Sequence, residues 1–161
     1  RAVYEIRRIN VVFGQRMYYG GHHPDYSRRF FPRDAVRWEG LVHEHTESAL
    51  PIRRMKGSLL HHTYENWEEY FQKFNQYTTL LAEQQYAAGR RAPFLKILFD
   101  PPFAFFRFYI LQRGFLDGRL GFIMAMCHVF YTMVKYVKLS ALYKVRGKES
   151  FADAEAEKYS G

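Results

Sequence analysis

Residues 120–134 read LGFIMAMCHVFYTMV, the longest stretch of the chain without an aspartate, glutamate, lysine or arginine. Its 15 residues are fewer than the roughly 20 apolar residues that a helix needs to cross a bilayer. Lys135 and Lys138 follow the stretch, and their long side chains can carry an ammonium group to a membrane surface. We therefore predict that Leu120–Tyr143 is a helix that lies in a membrane interface or folds back as a re-entrant hairpin. A membrane span and the core helix of a soluble bundle are the open alternatives.

The segment before this stretch continues the apolar, helical pattern. Pro93 can begin a helix, Pro101-Pro102 is expected to interrupt it, and Gly114 and Gly118 mark a break before the long run. Aromatic residues make up 19% of the whole chain, and such residues concentrate at binding surfaces and at membrane interfaces. This composition favours a membrane-interfacial role for the helices.

The positive charge of the chain lies in the same region. Residues 89–148 contain 11 Lys or Arg and 2 Asp or Glu, a balance of +9, whereas residues 1–88 contribute +2 and residues 149–161 contribute −3. Basic residues among apolar ones favour an anionic lipid surface over nucleic acid, which we do not expect as a partner. We predict a basic, membrane-associating helical region over 93–148 and a frayed acidic tail over 149–161. The expected membrane-facing cations are Arg107, Arg113, Lys135 and Lys138.

Residues 66–88 have the pattern of an amphipathic helix. Asn66 can cap the helix, with Glu69 three residues later in the capping-box position, and Gly89 is a typical residue to end it. Large apolar residues recur at spacings of three and four, namely Trp67, Tyr70, Phe71, Phe74, Tyr77 and Leu81. We expect this face to pack in a core.

Residues 1–64 read as strands and loops. Val3–Ile9 and Ser58–Tyr64 are the candidate strands, and glycines and prolines punctuate the residues between them. A long irregular stretch within a compact domain is usually functional or disordered. The density of histidine, arginine and aromatic residues favours a functional stretch here.

Three short groups of residues in this part are candidates for chemistry. Gly20-Gly21 allows the backbone to approach a ligand closely, although a plain turn also explains the pair. Glu44 lies between His43 and His45, where a carboxylate with imidazole neighbours suits a general base, although a solvated loop has the same composition. His61 follows an apolar pair and could bind a metal as a neutral imidazole, yet no zinc motif accompanies it.

The order of these and other short motifs resembles the later half of family 2 glycosyltransferases of the lipopolysaccharide core type, over about residues 3–143. The motifs are Arg8-x-Asn10, Gly20-Gly21, Pro24-Asp25, Arg28-Arg29-Phe30-Phe31, Trp38-x-Gly40-x-Val42-His43-Glu44, Leu60-His61-x-Thr63-Tyr64, Asn75-x-Tyr77-Thr78, Gly89-Arg90-Arg91-Ala92, Arg113-Gly114-Phe115-Leu116-Asp117-Gly118 and Lys135-Tyr136-x-Lys138-Leu139. The resemblance implies an α/β fold, the acceptor-side part of a GT-A-like domain, followed by amphipathic, membrane-interfacial α-helices.

The resemblance also implies roles for individual residues. Glu44 matches the acidic residue that deprotonates the acceptor hydroxyl, and His61 matches a histidine that joins the metal shell beside the donor diphosphate. The residues implied in donor or acceptor binding are Gly20, Gly21, Asp25, Arg28 and His43. The implied cofactor is a divalent metal, Mg²⁺ or Mn²⁺, which offsets charge on the leaving nucleoside diphosphate.

The implied reaction is the inverting, metal-dependent transfer of a sugar from a nucleotide-sugar donor to a lipid-linked or lipopolysaccharide-type acceptor. Its expected place is the cytoplasmic face of the bacterial inner membrane. The family's Asp-x-Asp, which holds the metal, precedes the glycine loop and has no counterpart here. We therefore expect residues 1–92 to be the acceptor- and metal-side portion of a transferase, inactive without its nucleotide-binding half.

The alternative function is a membrane-surface binding or scaffold module without catalysis. It uses the same basic, apolar helices and needs no reactive residue. Aromatic helices with an exposed apolar face also favour self-association, so a homo-oligomer is a further expected partner.

Overall fold

The computed structural model describes residues 1–22, 25–35, 37–39 and 45–159, with side chains described over 1–21, 25–34 and 48–146. The chain is mixed α/β. Its strands are β1 (Val3–Val12), β2 (Gln15–Met17), β3 (Asp25–Phe30), β4 (Arg37–Glu39), β5 (His45–Glu47) and β6 (Ile52–Tyr64). Its helices are α1 (Trp67–Ala87), α2 (Phe94–Phe105) and α3 (Gly118–Tyr159), and a π-helical turn (Phe106–Leu111) and a 3₁₀ turn (Gly114–Asp117) lie between α2 and α3.

Strand β1 is the centre of the main sheet. β6 pairs parallel to it from Val3 to Val12, and β2 and β3 pair antiparallel to it at its two ends. Because β6 pairs along the whole of β1, β2 and β3 share the opposite edge. Phe13 and Gly14 both have positive φ, as a two-residue hairpin turn between β1 and β2 requires. The two predicted strands are confirmed, and both are longer than the sequence indicated.

Helix α1 begins and ends where the sequence predicted. The backbone N–H of Glu69 donates to Oδ1 of Asn66 at 2.8 Å, and Gly89 after the helix has φ +68°. The buried residues of α1 are Tyr70, Phe74, Thr78 and Ala82, spaced four apart. The predicted core face is therefore confirmed in its centre, whereas Trp67 and Phe71 at its margin are exposed.

The expected interruption at Pro101-Pro102 is wrong, because α2 continues through both prolines. The fixed φ of proline is compatible with a helix. The two prolines lack backbone N–H groups, so two hydrogen bonds to carbonyl oxygens of the preceding turn are missing. Directly after α2 the chain widens into the π-helical turn Phe106–Leu111. The predicted break at Gly114 and Gly118 is confirmed, because the 3₁₀ turn lies between them.

The core joins the sheet to the helices. Val12 and Met17 from the sheet pack with Tyr70 and Phe74 of α1, with Phe108 of the π-helical turn, and with Met124 and Ala125 of α3. Gly121 allows the closest approach: a Cβ there would lie 2.0 Å from the carbonyl oxygen of Gly114. Helix α3 extends to Tyr159, and fraying of the acidic tail stays a prediction.

The outer surface of the helical region is strongly apolar. Among the described residues, one helical stretch, Gly114–Arg146, is long and apolar enough to cross a membrane, and 17% of its most apolar window is buried inside the protein. Large apolar side chains are also exposed along the preceding segment, including Phe94, Leu95, Leu98, Phe99, Phe103, Phe106, Ile110 and Leu111. A core helix of a soluble bundle would bury most of its apolar side chains, so the low burial of this stretch disfavours that alternative.

Candidate functional site

A polar cluster lies where β1, β3 and β6 meet. The guanidinium of Arg8 donates to Oδ2 of Asp25 from Nε at 3.0 Å and from Nη2 at 2.7 Å. Nδ2 of Asn10 donates to the same oxygen at 3.1 Å, and Oδ1 of Asn10 accepts from Oγ1 of Thr63 at 3.1 Å. Asn10 is buried. The network therefore fixes Asp25, a residue predicted to bind donor or acceptor, by linking all three strands.

His61 lies on β6 directly opposite Asn10 in the parallel register. Partial burial, and then the positive charge of Arg8, hold the pKa of His61 below its ordinary value. The imidazole is therefore neutral at neutral pH, the state in which histidine binds a metal or accepts a proton. Arg28 also belongs to this sheet, on β3 opposite Glu5 of β1, and it is half-buried.

The structure brings Asp25, His61 and Arg28 onto one small sheet. Within the described parts of the chain, however, no group of three or more His, Cys, Asp or Glu residues is arranged to hold a metal ion. His61 is thus available as a single ligand and does not complete a site with its described neighbours. Glu44, the predicted base, and His43 lie outside the described residues.

The Gly20-Gly21 pair packs against an aromatic ring. Gly20 has φ +64°, and a Cβ at this position would lie 2.5 Å from Cε1 of Phe108; a Cβ at Gly21 would lie 2.8 Å from Cε2 of the same ring. The N–H of Gly20 donates to the carbonyl oxygen of Gln112 at 2.9 Å. The close approach that the sequence assigned to a ligand thus serves to pack the loop on the π-helical turn.

Asp117 is an important residue that the sequence indicated only as part of a short motif. Its carboxylate accepts from the backbone N–H groups of Tyr18 at 3.0 Å and Tyr19 at 2.9 Å, and its carbonyl oxygen accepts from Nε2 of Gln15 at 3.0 Å. The carboxylate is buried. The signal in the sequence was a single acidic residue between two glycines in an apolar segment. The Asp117 side chain holds the glycine loop on the helical region.

The four predicted membrane-facing cations fall into two classes. Arg107 and Arg113 are exposed. Lys135 is half-buried, with Nζ 4.5 Å from the ring centre of Tyr136. Lys138 points at α1, where its ammonium group, with three N–H donors, lies 2.7–2.9 Å from four acceptor oxygens: the carbonyl oxygen and Oδ1 of Asn75, Oγ1 of Thr78 and Oγ1 of Thr79. Lys138 therefore connects two helices, a role that the sequence did not indicate.

A cavity of about 550 Å³ lies beside the glycine loop. Its walls come from Gly21, β6, α1, α2, the π-helical turn and α3, and they include the rings of Tyr64, Tyr70, Tyr77 and Tyr131. Its volume is within the range of about 300–1,000 Å³ that is typical of small-molecule pockets. The cavity thus lies between the sheet, which holds the polar cluster, and the apolar helices.

The chain is similar to the lipopolysaccharide core biosynthesis glycosyltransferase LpsC of Rhizobium meliloti (strain 1021), with 35% identity over 98 residues. The match covers 61% of the chain and 36% of the relative, so the chain spans about a third of the length of this curated protein. No family model matches the chain, and no solved structure matches it. The similarity supports the resemblance at the level of a glycosyltransferase relative, while the GT-A fold and the assignment to a C-terminal half stay predictions.

Proposed function

We propose that the chain is the acceptor-side part of a glycosyltransferase that adds a sugar to a lipopolysaccharide-type acceptor. The observation that carries the proposal is the 35% identity over 98 residues to a protein named for lipopolysaccharide core biosynthesis. The finer points come from the motif order: a family 2 transferase of GT-A type, inverting, with a nucleotide-sugar donor and a lipid-linked acceptor.

The open edge of the sheet supports the proposal that this part works with another one. Strand β6 is exposed from Ile52 to Leu60, and apolar side chains such as Met55 and Leu59 lie on this exposed strand. Among the described strands, β6 pairs with β1 alone. The relative is nearly three times as long as its matched part. We propose that the nucleotide-binding half of the intact protein packs along β6.

In this proposal, Glu44 removes the proton from the acceptor hydroxyl. The cluster around Asp25 is a fixed polar frame for donor or acceptor: Arg8 and Asn10 hold the carboxylate, and Thr63 connects Asn10 to β6. We retain a divalent metal, Mg²⁺ or Mn²⁺, as a proposal for the intact protein, with His61 as one ligand. Since the described residues do not form a metal site, no step of the reaction is assigned to the ion.

The direct test is sugar transfer by the intact protein and its Glu44→Gln variant, with labelled nucleotide sugars and truncated lipopolysaccharide as acceptor. We expect the variant to lose transfer by at least about 100-fold, because a general base contributes about 10² to 10⁴ in rate, while donor binding is retained. Near-normal turnover would remove Glu44 as the base. A wild-type protein that transfers no sugar to any such acceptor would contradict the function itself.

A second candidate function is a membrane-surface binding module without catalysis, placed like the first at the cytoplasmic face of the inner membrane. The observation that favours it is the exposed apolar surface of α2 and α3 together with the +9 balance of residues 89–148. Binding to anionic vesicles is common to both candidates. Transfer activity separates them, and a concentration-dependent mass in solution would identify self-association through the same surface.

A further inference from the structure

The cavity beside Gly21 has the chemistry of a site for a sugar that carries negative charge. Among the described residues that line it, none is a carboxylate, and Arg107 is the one lysine or arginine. Four tyrosines line it, and a tyrosine ring offers an apolar face to the C–H groups of a sugar and a hydroxyl to its oxygens. Tyrosine hydroxyls carry their protons at neutral pH, and burial raises the pKa of Tyr64 and of Tyr70 further.

Arg107 is placed to bind an anion in this cavity. It is exposed and lies in the π-helical turn Phe106–Leu111. Such turns are rare in proteins as a whole, but those that exist often lie at functional sites. Among the described residues, no carboxylate forms an ion pair with it. A guanidinium that no acid neutralises can bind phosphate through two parallel hydrogen bonds.

The surface next to Arg107 is apolar. Phe106 precedes it, Ile110 and Leu111 follow within the same turn, and Phe103 lies one turn earlier; all four are exposed by 45–61%. A ligand whose charged sugar occupies the cavity therefore has an apolar surface beside it for an acyl chain. A free nucleotide sugar has no acyl chain to pack against such a surface, whereas an amphiphile has one.

We propose that this cavity binds the acceptor as an anionic glycolipid, with the sugar against the tyrosines, a phosphate on Arg107 and the acyl chain along the exposed π-helical turn. Naming the ligand as the acceptor rests on the proposed function; the binding of this class of amphiphile does not. Among the lining residues, Arg107 sets the preference for a negatively charged ligand. The small side chain of Ala104 leaves space for the sugar, and Tyr77 provides a polar group.

The test measures binding of two soluble probes to the chain, octyl glucoside and octyl glucoside 6-phosphate, below their micelle concentrations. We expect the phosphate to strengthen binding about tenfold in the wild type, the effect of a charged hydrogen bond. Arg107→Gln should abolish that advantage, while Arg119→Gln, an exposed arginine that does not line the cavity, should retain it within about twofold. Equal losses in both variants would reduce the effect to general surface charge and overturn the site.

A cavity-filling variant tests the location independently. Ala104 is half-buried in α2 and lines the cavity, so Ala104→Phe should weaken both probes by about tenfold or more with unchanged helical circular dichroism. Unchanged binding would place the probes elsewhere and contradict the proposal. If the probes bind as expected but the intact protein transfers no sugar, the proposed function fails and the site stands. If transfer is normal in Arg107→Gln and Ala104→Phe, the cavity is not the acceptor site.

Discussion

The sheet and the helical region differ in where their side chains find partners. In the sheet, charged and polar groups bind one another: Arg8, Asn10 and Asp25 form one network, and Glu5 pairs with Arg54 at 2.9 Å. In the helical region most of the large apolar side chains of α2 point away from the protein. The difference indicates that the polar cluster of the sheet has its partners within the sheet, whereas the outer face of α2 has no apolar partner within the described chain.

The two regions are joined at a few well-defined points. The glycine loop packs on Phe108, and Asp117 binds the backbone of the same loop. Among the helices, Lys138 connects α3 to α1. If the comparison is correct, substitutions at these points should destabilise the protein, whereas substitutions on the outer face of α2 should mainly change what it binds.

Gly20→Ala should have the largest effect. The new Cβ would lie 2.5 Å from the Phe108 ring in a backbone with φ +64°, which combines a left-handed residue with overpacking. We expect a loss of about 3 kcal/mol in the free energy of unfolding. Gly14→Ala is the matched control, because φ there is +79° with no atom within 4 Å, and it should cost about 1 kcal/mol. Equal losses in urea unfolding would show that the ring contact does not matter.

Asp117→Ala should come next. The substitution removes the buried carboxylate that accepts hydrogen bonds from the N–H groups of Tyr18 and Tyr19. We expect the free energy of unfolding to fall by about 2 kcal/mol. Asp117→Asn keeps one oxygen and should cost about half of that. Hydrogen exchange at Tyr18 and Tyr19 is the second measurement, since both amides should exchange faster in the alanine variant. Unchanged protection would contradict the assigned contact.

Lys138→Met should cost about 1 kcal/mol, because a side chain at a partly solvated site loses its bonds to α1 while keeping most of its apolar length. Lys144→Met, at an exposed position six residues later on α3, is the control and should leave stability nearly unchanged. Thermal unfolding of both variants at equal ionic strength measures the difference. If the two variants unfold alike, Lys138 does not connect the helices in solution.

His61 should have the smallest effect, visible as a dependence on pH. Its pKa is lowered in the folded protein, with burial as the main cause, so the unfolded chain takes up the proton first as the pH falls. The stability contribution of the neutral imidazole is therefore complete above the unfolded pKa of about 6.5 and is lost as the pH falls below it. His61→Gln should flatten the loss of stability between about pH 7 and 5. An equal slope in the wild type and in His61→Gln would contradict the assignment.

The sequence predicted those features that depend on neighbours in the chain. Asn66 and Gly89 set the ends of α1, and the alternation of Val3–Ile9 indicated β1. It could not show that Gly20 and Gly21 meet Phe108, or that Lys138 meets Asn75, because these residues are far apart in the chain and become neighbours through packing. The error at Pro101-Pro102 has a related cause: local propensity disfavours a helix there, and packing against α3 overrides it.

The candidate site could be predicted only in part. Asp25 and His61 were predicted from the motif order, and the structure places them on β3 and β6, the strands on either side of β1. The hydrogen bonds of Arg8, Asn10 and Thr63 in this network could not be predicted from the motifs that contain them, because hydrogen bonds across a sheet depend on the register of its strands. The cavity had no signal in the sequence, since its walls come from segments between residues 21 and 131.

We propose that the outer face of α2 lies in a membrane while the sheet stays outside it. The most direct measurement uses two single-tryptophan proteins, one with native Trp67 of α1 and Trp38 replaced by Phe, the other with Phe99→Trp and both native tryptophans replaced by Phe. Each is mixed with anionic vesicles that carry brominated acyl chains. We expect strong quenching at position 99 and little at Trp67, with binding reduced by salt. Equal quenching at both positions, or no binding to anionic vesicles at low salt, would contradict the account.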